Sequence, residues 1–218
     1  MAKKYVALTG DLVNSRDISR RRVAQNKLIK TAEAINKNFK ESIAVKFSIT
    51  IGDEFQGLIS VGGDGGGLDK SYDVCRFAAR MLYPFKIAFG VGYGGISTDI
   101  RVKTAEMDGE CFSRSREALI DAKKNGRSIV YLTGNKTLDI SVNTIIMLCD
   151  VIKNNWRDLH YRRIWKYEDM GTLEAVARSE RVSFQMVDKS LKAARYGYIA
   201  AAEKNLKMLL GSISTLQG

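Results

Sequence analysis

Two apolar, β-branched runs in this chain deliver carboxylates: Leu8-Thr9-Gly10-Asp11-Leu12-Val13 and Ile49-Thr50-Ile51-Gly52-Asp53-Glu54-Phe55. Runs of this kind read as strands, and each places an acid at or just past a strand end. Asp11 and Asp53 are 42 residues apart in sequence. They can share a site if the fold sets their strands side by side. Mg²⁺ prefers hard oxygen ligands and takes one or two carboxylates plus substrate phosphates, so such a pair suits a metal-dependent nucleotide site. The alternative is that each Asp is a turn residue, since Gly-Asp pairs mark turns.

The periodicity around these runs supplies an element order. Residues 5–10 form a buried strand. Residues 20–39 carry Val23, Leu28, Ala32, Ile35 and Phe39 at helical spacing. Lys46 to Ile51 alternates polar and apolar, Gly52-Asp53-Glu54 turns it, and Phe55 to Val61 returns as a hairpin partner. A glycine-rich loop, 62–67, leads into a helix over about 69–83 that Pro84 ends. The loop lacks the Lys-Ser/Thr ending of a P-loop and reads as a linker. Lys86 to Gly94 is a fourth strand, Gly109 to Asn125 a helix with Gly126 near its cap, and Ser128 to Leu132 a fifth strand. The order β-α-β-β-α-β-α-β predicts an α+β, ferredoxin-like core with an added unit. From residue 141 the pattern is helical, which divides the chain into 1–140 and an all-α part, 141–218.

The net charge of +11 points to a polyanionic partner, nucleotide or nucleic acid first. Arg20-Arg21-Arg22 is the densest basic cluster. Cys75, Cys111 and Cys149 form no CxxC and no Cys/His cluster, which predicts reduced thiols and a cytoplasmic protein without structural zinc. The apolar run after Met1-Ala2-Lys3-Lys4 is too short for a signal peptide, and no later run reaches a membrane span.

Gly52-Asp53-Glu54-Phe55 resembles the hairpin of the diguanylate cyclase palm. The end of the Asp11 strand resembles the first metal-binding position of class III adenylate and guanylate cyclases. Ile87 to Gly92, Gly109 to Ser113, Glu117-Ala118, Gly126 and Ile129 to Leu132 resemble, in order, the glycine-containing strand and the helix and strand that follow it there. Ala7 to Arg16, together with Gly52 to Gly57, is more closely similar to the SatD family of small prokaryotic proteins, and this resemblance covers nearly the whole chain. The SatD resemblance supplies an architecture, and the cyclase resemblance implies a nucleotidyl-cyclase-like palm with Mg or Mn held at Asp11 and Asp53, with Glu54 as a candidate third ligand. The chain departs from active cyclases at three positions. Ile49 stands where they read the purine, and Ser113 and Glu117 stand where they carry Asn and Arg. A glutamate cannot neutralise developing phosphoryl charge. Arg114 and Arg116 are near in sequence, but helical geometry points them away from the Glu117 direction.

Asn14, Ser15 and Arg16 follow Asp11 at a strand-to-helix junction, where backbone amides and Arg16 can cradle a phosphate. Helix capping is the alternative role for Asn14 and Ser15. Glu54 is either a third ligand or a charge at the hairpin tip. His160 lies among arginines without a nucleophile partner and reads as a surface residue. Further on, Thr172 caps one helix and Ser183 opens a second, with Met186, Val187 and Leu191 inward and Gln185, Lys189, Lys192 and Arg195 outward. This is a helix-turn-helix pattern, with outward types suited to base edges and phosphates of duplex DNA. Glu174, Glu180 and Asp188 dilute that positive face, and a helical hairpin used for dimer contact or for capping the palm is the competing reading. Three functions stay open. The first is a regulator whose nucleotide-binding palm controls a DNA-binding domain. The second is an active nucleotidyl cyclase or related transferase, and the third is an assembly module with a vestigial palm; a homodimer is compatible with each.

Overall fold

The computed structural model describes residues 3–13, 21–50, 52–62 and 67–212. They fall into two compact units, Met1–Ile146 with Leu206–Gly218, and Met147–Asn205.

The first unit is built from β1 (Lys4–Leu12), α1 (Arg21–Asn38), β2 (Ile43–Ile49), β3 (Glu54–Ser60), α2 (Leu68–Leu82), β4 (Ile87–Gly95), α3 (Glu110–Asn125) and β5 (Ile129–Leu132), followed by α4 (Lys136–Lys153) as far as Ile146. The sheet order is β2-β3-β1-β4-β5. The first four strands pair antiparallel, and β5 joins β4 in parallel. That is the ferredoxin-like order with one added α-β unit, as the sequence periodicity predicts.

Strand alternation sorts the core between the two faces of the sheet. On one face Val6, Leu8 and Leu12 of β1 meet Ala24, Leu28, Ala32 and Ile35 of α1, and Tyr72, Cys75, Ala78 and Leu82 of α2. Each large apolar side chain buried there contributes about 1.5–3 kcal/mol relative to exposure. Val23, expected in the α1 stripe, is 53% exposed. Ala24 takes its place, because the spacing 24-28-32-35 keeps to one side of the helix. On the opposite face, Tyr5 and Ala7 pack with Cys111 and Phe112, while Ala88 and Val130 pack with Ala118, Leu119 and Ala122 of α3.

Gly90 and Gly92 bring α3 onto β4. A Cβ on Gly90 would lie 2.1 Å from the Ser115 carbonyl oxygen, and one on Gly92 would lie 2.1 Å from that of Cys111. The backbones meet where any other side chain would hold them apart. A buried polar chain fastens the contact. Gln56 Nε2 donates to Thr9 Oγ1 at 2.9 Å, the Thr9 and Ser115 hydroxyls share a hydrogen bond of 2.8 Å, and Ser115 Oγ donates to the Gly90 carbonyl at 2.9 Å.

The change of periodicity near residue 140 marks the start of helical chain, but the first core continues beyond it. Val142 and Ile146 of α4 are buried in that core, as are Leu206 and Leu210 of α8 (Tyr196–Gly211). Lys207 also pairs with Asp73 at 2.8 Å.

In the second unit, α5 (Asp158–Met170), α6 (Leu173–Glu180) and α7 (Phe184–Ala193) close around Ile164, Val176, Ala177, Val187, Leu191 and Ala194. Thr172 Oγ1 accepts from the Ala175 amide at 3.2 Å, and Ser183 Oγ from the Met186 amide at 3.3 Å, so both expected caps form. Arg181 makes the turn between α6 and α7 in the left-handed region, φ 54°. Among the described residues no helix is long and apolar enough to cross a membrane.

Candidate functional site

The β1–β3 ladder sets Asp11 directly opposite Glu54. Opposed residues of an antiparallel pair project to the same face, with Cβ atoms about 4.5–5.5 Å apart. Both side chains turn to the α3 side. Lys123 Nζ donates to Asp11 Oδ2 at 2.8 Å, and Arg116 Nη1 to Glu54 Oε2 at 2.8 Å. Thr50 Oγ1 donates to Glu54 Oε1 at 2.7 Å across the hairpin, whose turn places Gly52 at φ +60°. Glu54 is therefore buried and bonded at both oxygens, not a charge at an exposed tip.

Asp53 immediately precedes β3 and projects the other way. Its Oδ1 accepts from Gln25 Nε2 at 2.8 Å, and its Oδ2 from Arg21 Nη2 at 3.2 Å, both on α1. Its backbone stays next to β1, where the Leu12 amide donates to the Asp53 carbonyl at 3.3 Å. Successive residues along a strand direction alternate faces, and that divides the expected three-carboxylate set. Among the described residues, no three His, Cys, Asp or Glu side chains form a group that could hold a metal ion. Asp11 and Glu54 fit as a two-carboxylate donor pair, which is the number Mg²⁺ takes when phosphates complete its shell. Asn14, Ser15 and Arg16 lie outside the described residues.

The cations at this site, Arg21, Arg116 and Lys123, are each roughly half exposed, whereas Asp53 and Glu54 are buried. Arg116 does face the site. The buried positions Cys111, Ser115, Ala118 and Ala122 fix the rotation of α3, leaving Arg116 and Lys123, seven residues apart, on one flank. The heptad spacing was a readable signal for this pair. Arg114 instead donates to the carbonyls of Tyr93 at 2.6 Å and Thr133 at 3.3 Å, and Ser113 and Glu117 are exposed.

In the second unit Gln185, Lys189 and Lys192 share the exposed flank of α7. Lys192 is bonded to Asp188 at 2.8 Å. Arg195 is exposed but falls past the end of α7, in a turn with φ 53°, so it does not continue the helical face. Met186, expected inward, is 52% exposed, and Phe184 stands out beside it at 40%. Val187, Ser190 and Leu191 form the inward arc instead. Glu180 is withdrawn from the positive surface. Its side chain is buried against Arg163 at 2.8 Å and Lys166 at 3.2 Å. Burial raises its pKa, but the hydrogen bonds from Arg163 and Lys166 outweigh that effect and hold it below the ordinary glutamate value. His160 is half-buried, and its Nδ1 accepts from the Arg157 amide at 3.3 Å as part of a cap on α5.

The SatD family model matches residues 5–198. The chain belongs to the SatD family. No curated protein matches this SatD chain in sequence. Among solved structures, a bacterial light-regulated adenylyl cyclase is 12% identical, with a TM-score of 0.43 over 60% of this chain and 76% of the other. The adenylyl cyclase CyaB from P. aeruginosa is 14% identical, with a TM-score of 0.41 over 60% and 77%. The guanylate cyclase domain of RhGC from Catenaria anguillulae, in complex with GTP, is 20% identical, with a TM-score of 0.40 over 55% and 73%.

Proposed function

We propose that this SatD protein is a cytoplasmic regulator in which the first unit binds a nucleotide with Mg or Mn and the second binds duplex DNA. The observation that carries the nucleotide reading is Asp11 facing Glu54 on one side of the sheet, each already paired with a half-exposed cation of α3. A polyphosphate carries both charges such a cluster can exchange: its oxygens suit Arg116 and Lys123, and its divalent cation suits the two carboxylates. A bound ion would neutralise phosphate charge there. Asn14, Ser15 and Arg16, three to five residues past Asp11, are of types that suit further phosphate contacts, while Asp53 holds α1 through Arg21 and Gln25. Exposed Ser113 and Glu117, in place of Asn and Arg, favour binding over cyclisation. The DNA reading rests on the exposed flank Gln185, Lys189 and Lys192, with Arg195 beside it, on a protein of net charge +11.

A thermal-shift panel of nucleoside triphosphates, with and without Mg²⁺ or Mn²⁺, tests the first half. Stabilisation should grow by mass action with ligand concentration, require the ion, and vanish in Asp11→Asn and Glu54→Gln. A shift that both variants retain, or none in the wild type, refutes it. For the second half, affinity for duplex DNA should fall steeply with salt, and reversing charge at Lys189, Lys192 and Arg195 together should abolish it without lowering the melting temperature. A wild-type chain that holds no duplex at low salt refutes it.

A further inference from the structure

Arg163 is a charged residue almost entirely inside the second unit, 6% exposed, and its guanidinium reaches two helices from a third. From α5, Nε donates to Glu180 Oε2 at 2.8 Å, at the last residue of α6. Nη1 donates to the Met186 carbonyl at 3.1 Å, in the first turn of α7. Between those two anchors lie Arg181, in the left-handed turn, Val182 and the cap Ser183. Lys166 and Arg162 also approach Glu180, at 3.2 and 3.5 Å. Among the described residues neither bonds to α7, so of these three cations Arg163 alone spans the turn. The planar fork matters here. A guanidinium donates in two fixed directions at once, whereas an ammonium is a compact, freely rotating point charge without that fixed fork.

We infer that Arg163 is the positioning residue of α7: by tying the end of α6 and the start of α7 to α5, it sets the direction in which Gln185, Lys189 and Lys192 face a DNA groove. This rests on the DNA reading of the second unit. Phosphate attraction tolerates a misdirected helix, because it depends on charge near the backbone. Base-edge contacts do not, because they need side chains at defined angles in the groove. Loosening the Arg163 clamp therefore lowers discrimination more than it lowers total affinity.

The test uses the full chain, a duplex selected from a random pool by the wild type, and a scrambled duplex of equal length. The readout is the ratio of the two affinities at one salt concentration. Arg163→Lys keeps the charge and the Glu180 pair but loses the bond to the Met186 carbonyl. Its ratio should fall about tenfold, the scale of one lost base contact, while binding to the scrambled duplex stays within about twofold. Lys166→Met removes a Glu180 partner that does not reach α7, and its ratio should stay at the wild-type value. If Arg163→Lys does not fold, Glu180→Gln takes its place. It weakens the anchor on α6 without removing the acceptor, and it should lower the ratio about threefold, a fraction of one base contact. An unchanged ratio in whichever variant folds overturns the inference and leaves the DNA reading standing. A wild-type chain that binds neither duplex overturns both.

Discussion

Gly90→Ala puts the largest load on the structure for the smallest chemical change. The added methyl would sit 2.1 Å from the Ser115 carbonyl oxygen and 2.3 Å from the Leu119 amide nitrogen, about 1.3 Å short of ordinary contact. Both obstacles are helix backbone, so no rotamer change relieves them, and α3 must move away from β4. Overpacking of this kind costs about 1–3 kcal/mol. The movement also strains the Thr9–Ser115 and Ser115–Gly90 hydrogen bonds, worth about 0.5–1.5 kcal/mol each. The total, about 2–6 kcal/mol, is a large share of the 5–15 kcal/mol typical of a folded domain. For a unit of this size that lowers the melting temperature by about 4–24 °C. Far-UV circular dichroism follows the loss. Trp156 and Trp165 both belong to the second unit, so their fluorescence reads that unit separately. Gly95→Ala is the matched control, since a Cβ there meets nothing within 4 Å. A loss below about 1 kcal/mol in Gly90→Ala, or an equal loss in Gly95→Ala, would refute the close-approach argument, because overpacking normally exceeds that value. Arg116 and Lys123 ride on α3, so the same variant should also weaken nucleotide stabilisation.

Two further outcomes follow from burial and charge. Burial pushes the Cys111 thiol up to about 11 and raises Cys75 and Cys149 as well, so all three should resist a thiol reagent at pH 8 in the native protein and react only after denaturation; rapid native labelling would contradict this. Glu180 has a folded-state pKa below its unfolded value, so its contribution to the second unit is complete above the unfolded value and is lost as pH falls through the folded one. Tryptophan-detected stability should therefore hold from pH 7 to about 5 and drop below about 4, and Glu180→Gln should flatten that drop; an equal acid loss in the variant would exclude Glu180 as its source.

Much of this fold was readable because it is written in periodicity. The alternation before Gly52, the apolar spacing in α1 and the single proline after α2 each state a local preference that the tertiary structure also uses. Side-chain direction was less accessible. Nothing in the string Gly52-Asp53-Glu54 says which neighbouring carboxylate turns toward α1 and which toward α3. That depends on where β3 begins, and a one-residue difference in the start of a strand exchanges the faces. The same limit applies to Glu180, which looks like a surface acid until α5 brings Arg163 against it. Met186 shows the reverse case: an apolar residue at a plausible inward position stands outside because Val187 and Leu191 already fill the inward arc of α7. Arg116 and Lys123 could have been found, since the buried positions of α3 determine its rotation and the seven-residue spacing places them together.

The return of α8 into the first core also decides the order of events during synthesis. N-terminal domains generally fold first as a chain emerges. Here the first unit lacks Leu206 and Leu210 until the whole of Met147–Asn205 has been made. The second unit is continuous in sequence, so its closure can precede completion of the unit that begins upstream of it. A nascent chain stalled between residues 146 and 205 would leave that apolar core unfinished, and would depend on whatever shields such surfaces until the last helix arrives.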